Sequence, residues 1–546
     1  MSSHARRLSA AALQTADLHW AEAFADHILE SQPDKDLYTC AAGISPSGIV
    51  HFGNFRDVMT SYAVGRALEE RGKKVRYLFS WDEFDRFRKV PQGVDAAWIE
   101  HIGKPLTAVP DPFGCHESYA RHWQVEFEEA IQEIGIPLEY RHQTKKYTDG
   151  DYDDLIIKAM RERERIARTL LSFMSDKGKA EKEINEEEYI REYYPISVYS
   201  RFTGKDNTVV TAYDGNSTIT YTCLDTKQSE TVDFTKEHIV KLAWKIDWPM
   251  RWGVEGVVFE PGGHDHASPG GSYDVSSTIA KEIFDIQPPL FVGYQFVGIQ
   301  GTNGKMSGSK GNAIAPKQLL EIYEPALLKW LYLRKLPDQA FSLAFDSEII
   351  RQYDELDREG VAQKEKTLSL MREKALRYSL APQETLPASP IPFRQAVGYG
   401  QILNWNEQKV TELLGALDLH YDASSVTTRL SKAKAWLETY NPDQLIRLRE
   451  EVNQEYVATM DEEAKQRVRS LCEALQTDGF TEIPKLEELV YRIPKDESLS
   501  QEENSPRQRA FFKDVYRLLI NADTGPRLST FLWAVDRERV LRLLDI

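Results

Sequence analysis

Ala42-Gly43-Ile44-Ser45-Pro46-Ser47-Gly48-Ile49-Val50-His51-Phe52-Gly53-Asn54 is the stretch on which the reading of this chain turns. The apolar run from Leu37 to Ala42 that leads into it has the length of a buried strand, and Met59, Tyr62, Val64 and Leu68 follow it at helical spacing. The quoted residues are therefore a strand end, a Gly/Ser/Pro turn and the mouth of a helix. Such an opening leaves backbone N–H groups without intrahelical partners, which suits it to hold phosphate. His51 and Asn54 add side-chain donors, and Gly53 leaves room for a flat base to lie against the backbone. An ordinary strand-to-helix turn with a capping serine would carry similar text.

Far downstream stands Gly304-Lys305-Met306-Ser307-Gly308-Ser309-Lys310-Gly311-Asn312, a Gly/Ser loop with two lysines. A basic loop able to close over a triphosphate serves nucleotidyl transfer, where the catalytic work is alignment and charge stabilisation. As a pair, HFGN and KMSGS resemble the HIGH and KMSKS signatures of class I aminoacyl-tRNA synthetases. The flanking text GISPSGIVHFGNFRD, SWDEFDRFRKVP, GGHDHASPGGSYD and KMSGSKGN is similar to the class I type of lysyl-tRNA synthetase, and the similarity spans nearly the whole chain.

The resemblance implies that lysine is activated with ATP and transferred to tRNA(Lys). ATP would contact Pro46, Ser47, Gly48, His51, Gly53, Asn54, Lys305, Met306, Ser307 and Ser309. His51, Asn54, Lys305 and Lys310 would stabilise the phosphates, with Mg2+ bridging the pyrophosphate oxygens. Gly308 stands where the family usually has a lysine, which leaves Lys310 to cover that role. Neither step needs a protein nucleophile. The lysine pocket would draw on Gly43, Ser45, Trp244, Asp265, His266 and Tyr294, although Trp244 and Tyr294 also read as plain core aromatics. A substrate with two ammonium groups wants carboxylates, and Asp82 and Asp85 lie after the second strand, at the ligand-facing edge of the sheet. A solvated loop with Asp85 paired to Arg86 or Arg88 is the competing reading.

The surrounding sequence alternates strand and helix. Val75 to Ser80 is a second strand, residues 55–71 form a helix ending at Gly72, and Tyr119 to Gly135 forms another. This implies a Rossmann-like doubly wound parallel sheet, an α/β fold. Charged helical text over 145–195 and β-like text over 195–235, with an Asp214-Gly215-Asn216 turn, interrupt the alternation as an inserted α+β domain. A strand from Val257 to Glu260 and another within Pro288 to Ile299 resume the sheet. After Pro316 the text is almost wholly helical, beginning with Leu319 to Leu333. The expected division is 1–140 for the first half of the catalytic domain, 141–240 for the insertion supporting the tRNA acceptor end, 241–345 for the second catalytic half, and 346–546 for an all-α domain that the resemblance assigns to the anticodon. A helical dimerisation domain has the same periodicity.

A chain of 546 residues should hold several domains. Its net charge of -17 argues against indiscriminate nucleic-acid binding but leaves room for an RNA docked on local basic patches. Many relatives carry zinc-ribbon cysteines in the insertion; here Cys223 stands alone in it, and His264-Asp265-His266 shows no further ligand nearby, so no structural zinc is expected. The four scattered cysteines fit a reducing cytoplasm, no apolar run suits a membrane helix, and a cytoplasmic monomer is expected. The competing activities are a glutamate or glutamine synthetase of the same architecture, a small-molecule nucleotidylyltransferase, and a non-catalytic RNA-binding paralogue. A glutamate or glutamine pocket would want basic side chains where Asp82 and Asp85 stand.

Overall fold

The computed structural model describes residues 6–13, 18–181, 183–300, 314–478 and 482–546. The chain divides into two compact units: Met1–Ala344 with Val361–Glu384, and Phe345–Gly360 with Thr385–Ile546.

The first unit is built on four parallel strands in the order β3-β2-β1-β9. Here β1 is Tyr38–Ile44, β2 Val75–Trp81, β3 Leu138–His142 and β9 Val257–Phe259, with β4 to β8 in the insertion. Tyr38 pairs with Val75 and Ile44 with Trp81, so the carboxyl ends of β1 and β2 are flush. Helix α1 (Trp20–Ser31) precedes the sheet, α2 (Phe52–Glu70) and α3 (Tyr119–Ile134) serve as crossovers, and α4 (Trp244–Glu255) returns the chain to β9. The doubly wound reading holds. Ala41, Leu78 and Val257, one from each of three adjacent strands, form one hydrophobic cluster with Trp248 and Trp252 of α4. Alternation of side chains along a strand places such residues on a common face. Helix α2 packs on β1 and β2, where Gly65 admits the Tyr77 ring so closely that an added Cβ would stand 2.2 Å from it.

Helix α4 contains Pro249, which cannot supply the N–H that the Lys245 carbonyl would take in a regular helix. The Ser276 hydroxyl donates to that carbonyl instead, at 3.1 Å. Trp244, Trp248 and Trp252 consequently keep helical register as a row of rings, the first two stacked with centroids 5.1 Å apart.

The insertion folds as a three-stranded antiparallel sheet: β5 (Thr208–Tyr213), β6 (Thr218–Cys223) and β7 (Ser229–Asp233). Its expected hairpin thus gains a third strand. Strands β4 (Ile196–Val198) and β8 (Val240–Leu242), which precede and follow that sheet in the chain, pair antiparallel.

Two expected elements are broken. The strand sought within Pro288 to Ile299 serves four neighbours: Leu290 bridges Phe259, Phe291 bridges Arg7, Gly293–Tyr294 pairs with Gly262–Gly263, and Val297–Ile299 pairs with Phe341–Leu343. The helix expected from Leu319 to Leu333 is two helices, Pro316–Ile322 and Pro325–Leu333, because Pro325 forces the preceding residue into extended backbone.

In the second unit, helices run almost throughout. Arg429 is buried there, forks onto Asp357 at 2.6 and 2.7 Å, donates to the Ile391 carbonyl, and lies over the Tyr353 ring. Among the described residues, no helix is long and apolar enough to cross a membrane.

Candidate active site at the carboxyl edge of the sheet

The turn quoted at the outset opens α2 one residue after His51. His51 is the N-cap: its Nδ1 accepts the Gly53 N–H at 3.1 Å, and the Asn54 carboxamide oxygen accepts the His51 N–H at 3.3 Å. This reciprocal arrangement is a capping box built from histidine and asparagine. It also settles which atoms face outward chemically. A neutral imidazole that accepts at Nδ1 carries its proton on Nε2, and an asparagine that accepts through its oxygen keeps its NH2 for donation. The expectation of free backbone N–H groups fails here. Those of Phe52 and Asn54 reach the Ile314 and His51 carbonyls, and that of Gly53 is taken by His51, so the side chains must do the donating. Ser47 is exposed while Pro46 and Gly48 are buried, and the Tyr119 hydroxyl pins the Ser47 carbonyl at 2.9 Å.

Beside this helix mouth, between the sheet and α4, lies a cavity of about 190 Å³. Gly43, Asn54, Asp82, Trp244, His266 and Tyr294 line it, which brings together six residues expected for ATP or lysine. Gly43 packs against the Ser80 carbonyl, 2.9 Å from where a Cβ would stand, so a side chain there would push β1 from β2. A second, more open cavity of about 450 Å³ shares Gly43, Asp82, Trp244 and His266 and adds Ser45 and Asp85. Asp265, in the short helical turn His264–Ala267, lines neither. Lys305, Met306, Ser307, Ser309 and Lys310, with Gly308, lie outside the described residues.

The two aspartates after β2 are not on a solvated loop, and Arg86 and Arg88 are not the partners found. Asp82 is buried and paired with Arg251 at 2.5 Å, and Asp85 with Lys241 at 2.7 Å. Asp247 completes the chain of charges, 3.4 Å from Arg251 and 3.8 Å from Lys241, and accepts the Tyr147 hydroxyl. Burial pushes the Asp82 carboxyl up, and the Arg251 guanidinium offsets that only in part. Burial acts on Asp85 in the same sense, but there the Lys241 ammonium wins and holds the carboxyl below its ordinary value. Spacing gives no sign of this pairing, because Arg251 and Lys241 come from distant sequence.

Three further carboxyls that motif reading missed line the first cavity: Asp57 on α2, Glu255 at the end of α4 and Glu260 just past β9. Asp57 accepts the Gly43 N–H at 3.1 Å through one oxygen, and the Tyr294 hydroxyl bears on the same buried carboxyl. Glu260 accepts the Trp252 indole N–H at 2.7 Å. Burial pushes Glu260 up to about 7 and Asp57 well above the carboxylate range. The sequence signal available was an acid at the carboxyl end of an apolar strand, in Val257-Val258-Phe259-Glu260.

Before α3, Asp111, Cys115, His116 and His122 place one donor atom each within 4.8 Å of one another. Cys115 Sγ lies 3.1 Å from His116 Nδ1 and 3.2 Å from His122 Nδ1. Thiolate, two imidazoles and a carboxylate at such separations match the ligand types and compactness of a tetrahedral zinc site. The sequence carries this group as Asp111-x3-Cys115-His116-x5-His122, upstream of the insertion and of His264-Asp265-His266.

Residues 18–381 match the family model described as tRNA synthetases class I (K). The lysine–tRNA ligase of Streptomyces coelicolor is 39% identical over 98% of this chain and 99% of its own. That of Pyrococcus horikoshii is 33% identical over 97% of this chain and 99% of its own. Among solved structures, a glutamate tRNA ligase from Elizabethkingia meningosepticum in complex with its amino acid aligns with a TM-score of 0.44 at 10% identity, covering 94% of this chain and 99% of that one.

Proposed function

The chain belongs to the tRNA synthetases class I (K), and we propose on that premise that it is a lysine–tRNA ligase that forms lysyl-adenylate from L-lysine and ATP and passes the lysyl group to tRNA(Lys). One observation supports the reading most directly. The capping box of His51 and Asn54 aims donors from the mouth of α2 beside an acid-lined cavity at the carboxyl ends of β1, β2 and β9.

In the first step a lysine carboxylate oxygen attacks the α-phosphorus of ATP, and the bond to the bridging oxygen breaks to release pyrophosphate. Negative charge grows on the phosphate oxygens. His51 Nε2–H and the Asn54 NH2 donate to them, and Lys305 and Lys310 add positive charge from the KMSGS segment. Magnesium bound with ATP would neutralise pyrophosphate charge. In the second step a terminal ribose hydroxyl of tRNA attacks the activated carbonyl, its proton departs, and AMP leaves. The protein contributes position and field, which is where most of the acceleration in such transfers resides. The division into a split catalytic domain, an insertion supporting the acceptor end and a helical anticodon domain belongs to this proposal.

The test is tRNA aminoacylation with each of the twenty amino acids, with ATP, magnesium and total tRNA. Charging with lysine alone, abolished in Lys305→Ala, is the expected result. Charging with glutamate or glutamine instead would refute the substrate while keeping the chemistry.

Asp111, Cys115, His116 and His122 are proposed to hold one structural zinc. Elemental analysis of the purified protein should find about one zinc per chain, lost in Cys115→Ser and in His122→Ala. Chelation should lower the thermal midpoint of the wild type and leave that of the variants unmoved. A wild-type protein purified without metal, and indifferent to added zinc, would refute the site.

A further inference from the structure

The lysine reading calls for two anionic acceptors in one pocket, and the structure offers two carboxyls that make no ion pair among the described residues. Asp82, the carboxylate chosen from sequence, is already paired with Arg251, and Asp85 with Lys241. Glu255, also on the cavity wall, is held by Arg141 and Arg76 at 2.6 and 3.0 Å. Asp57 and Glu260 remain, both facing the cavity. The Gly43 N–H and the Tyr294 hydroxyl reach Asp57, and the Trp252 and Trp248 indoles reach Glu260, so both carboxyls meet neutral donors only.

Their places in the fold separate their roles. Asp57 follows Asn54 by one turn of α2, so it stands at the end of the cavity where the substrate carboxylate must meet the α-phosphate. Glu260 enters from β9, on the other side of β1, against the tryptophan row of α4. A flexible chain of methylenes lying along that aromatic row would carry its terminal ammonium toward Glu260.

We infer that Glu260 is the residue that receives the side-chain ammonium of the amino-acid substrate, with Asp57 taking the α-ammonium. The inference rests on the lysine reading and goes past it by moving the counter-charge from Asp82 and Asp85 to two residues that the assignment from sequence leaves out. The groups facing Glu260 are Trp248, Trp252 and Arg251 from α4, Asp82 from the loop after β2, and Asp57 from α2. Arg251 is the one cation among them, and it is committed to Asp82 and Asp247.

Without substrate, burial keeps the Glu260 carboxyl at about 7, so it is substantially protonated in mildly acid solution. An arriving ammonium favours the ionised form, so lysine binding expels a proton from this carboxyl and strengthens as pH rises through 7. A group titrating at about 7 is roughly nine-tenths protonated at pH 6 and nine-tenths ionised at pH 8. The KM for lysine in aminoacylation should therefore fall about tenfold between those values, while the KM for ATP stays level.

Glu260→Gln keeps an oxygen for the Trp252 indole but no charge. It should raise the lysine KM on the order of a hundredfold, remove the part of its pH dependence centred near 7, and leave the ATP KM and the thermal midpoint near wild type. Glu260→Asp should recover part of the affinity and the pH dependence together. A lysine KM that is flat with pH in the wild type, or unchanged in Glu260→Gln, would overturn the assignment. A wild-type enzyme that charges another amino acid in the same assay would overturn the lysine reading itself, so the two failures are distinguishable.

Discussion

His51→Ala is expected to lower kcat/KM for lysine-dependent ATP–pyrophosphate exchange, measured with tRNA present, by about a hundred- to a thousandfold, the scale set by removing one pre-aimed transition-state donor. The imidazole has two tasks. Its Nδ1 caps α2 by accepting the Gly53 N–H, and that bond places the ring proton on Nε2, the atom proposed to donate to phosphate. Losing the cap alone costs about 1 kcal/mol of stability and cannot account for such a rate loss. His51→Asn separates the tasks: asparagine is among the best N-cap residues, but its amide does not reach the place of the far ring nitrogen. The expected pattern is a wild-type melting curve for His51→Asn with activity as low as that of the alanine variant. Near-wild-type exchange by either variant would leave His51 as a helix cap and nothing more.

The largest expected stability effect belongs to Arg251→Met. Arg251 is buried between Asp82 and Asp247, donates to the Ser80 hydroxyl oxygen at 2.8 Å, and lies over the Trp244 ring. Methionine fills much of the volume and leaves two buried carboxylates without their guanidinium. Removing one partner of such a pair costs about 3–5 kcal/mol, which should appear as a lowered urea midpoint for the first unit. The sign of the pH dependence follows from the carboxyls left behind. Burial already holds Asp82 above its ordinary value, and losing Arg251 removes what offset it, so the variant loses stability as pH rises through that raised value and recovers it toward acid. Adding Asp82→Asn should restore part of the loss at neutral pH, because a neutral amide replaces one stranded charge. An unchanged midpoint in Arg251→Met would show the pairing to be energetically idle.

Much of the architecture was legible because it is written locally. Apolar runs of strand length, helical periods between them and glycine at helix ends specify a parallel sheet. Gly135 does close α3 in the left-handed conformation. Local text also concealed two breaks. The run from Pro288 to Ile299 is apolar enough for one strand, but four different neighbours take its hydrogen bonds, and only assembly of the sheets decides that.

By itself, the sequence determined the order of strands and helices and the signature turn at His51 and Asn54. Each of these depends on residues within a few positions of one another, where spacing maps directly onto geometry. Tertiary structure alone decided which charges are spent. Asp82 and Asp85 read as open carboxylates until Arg251 and Lys241, more than 150 residues away, are folded onto them. It likewise decided which charges remain for a substrate, by burying Asp57 and Glu260 against a backbone N–H and an indole instead of a cation. A carboxylate's chemistry is set by what surrounds it in a medium of low polarity, and those surroundings are gathered from across the chain.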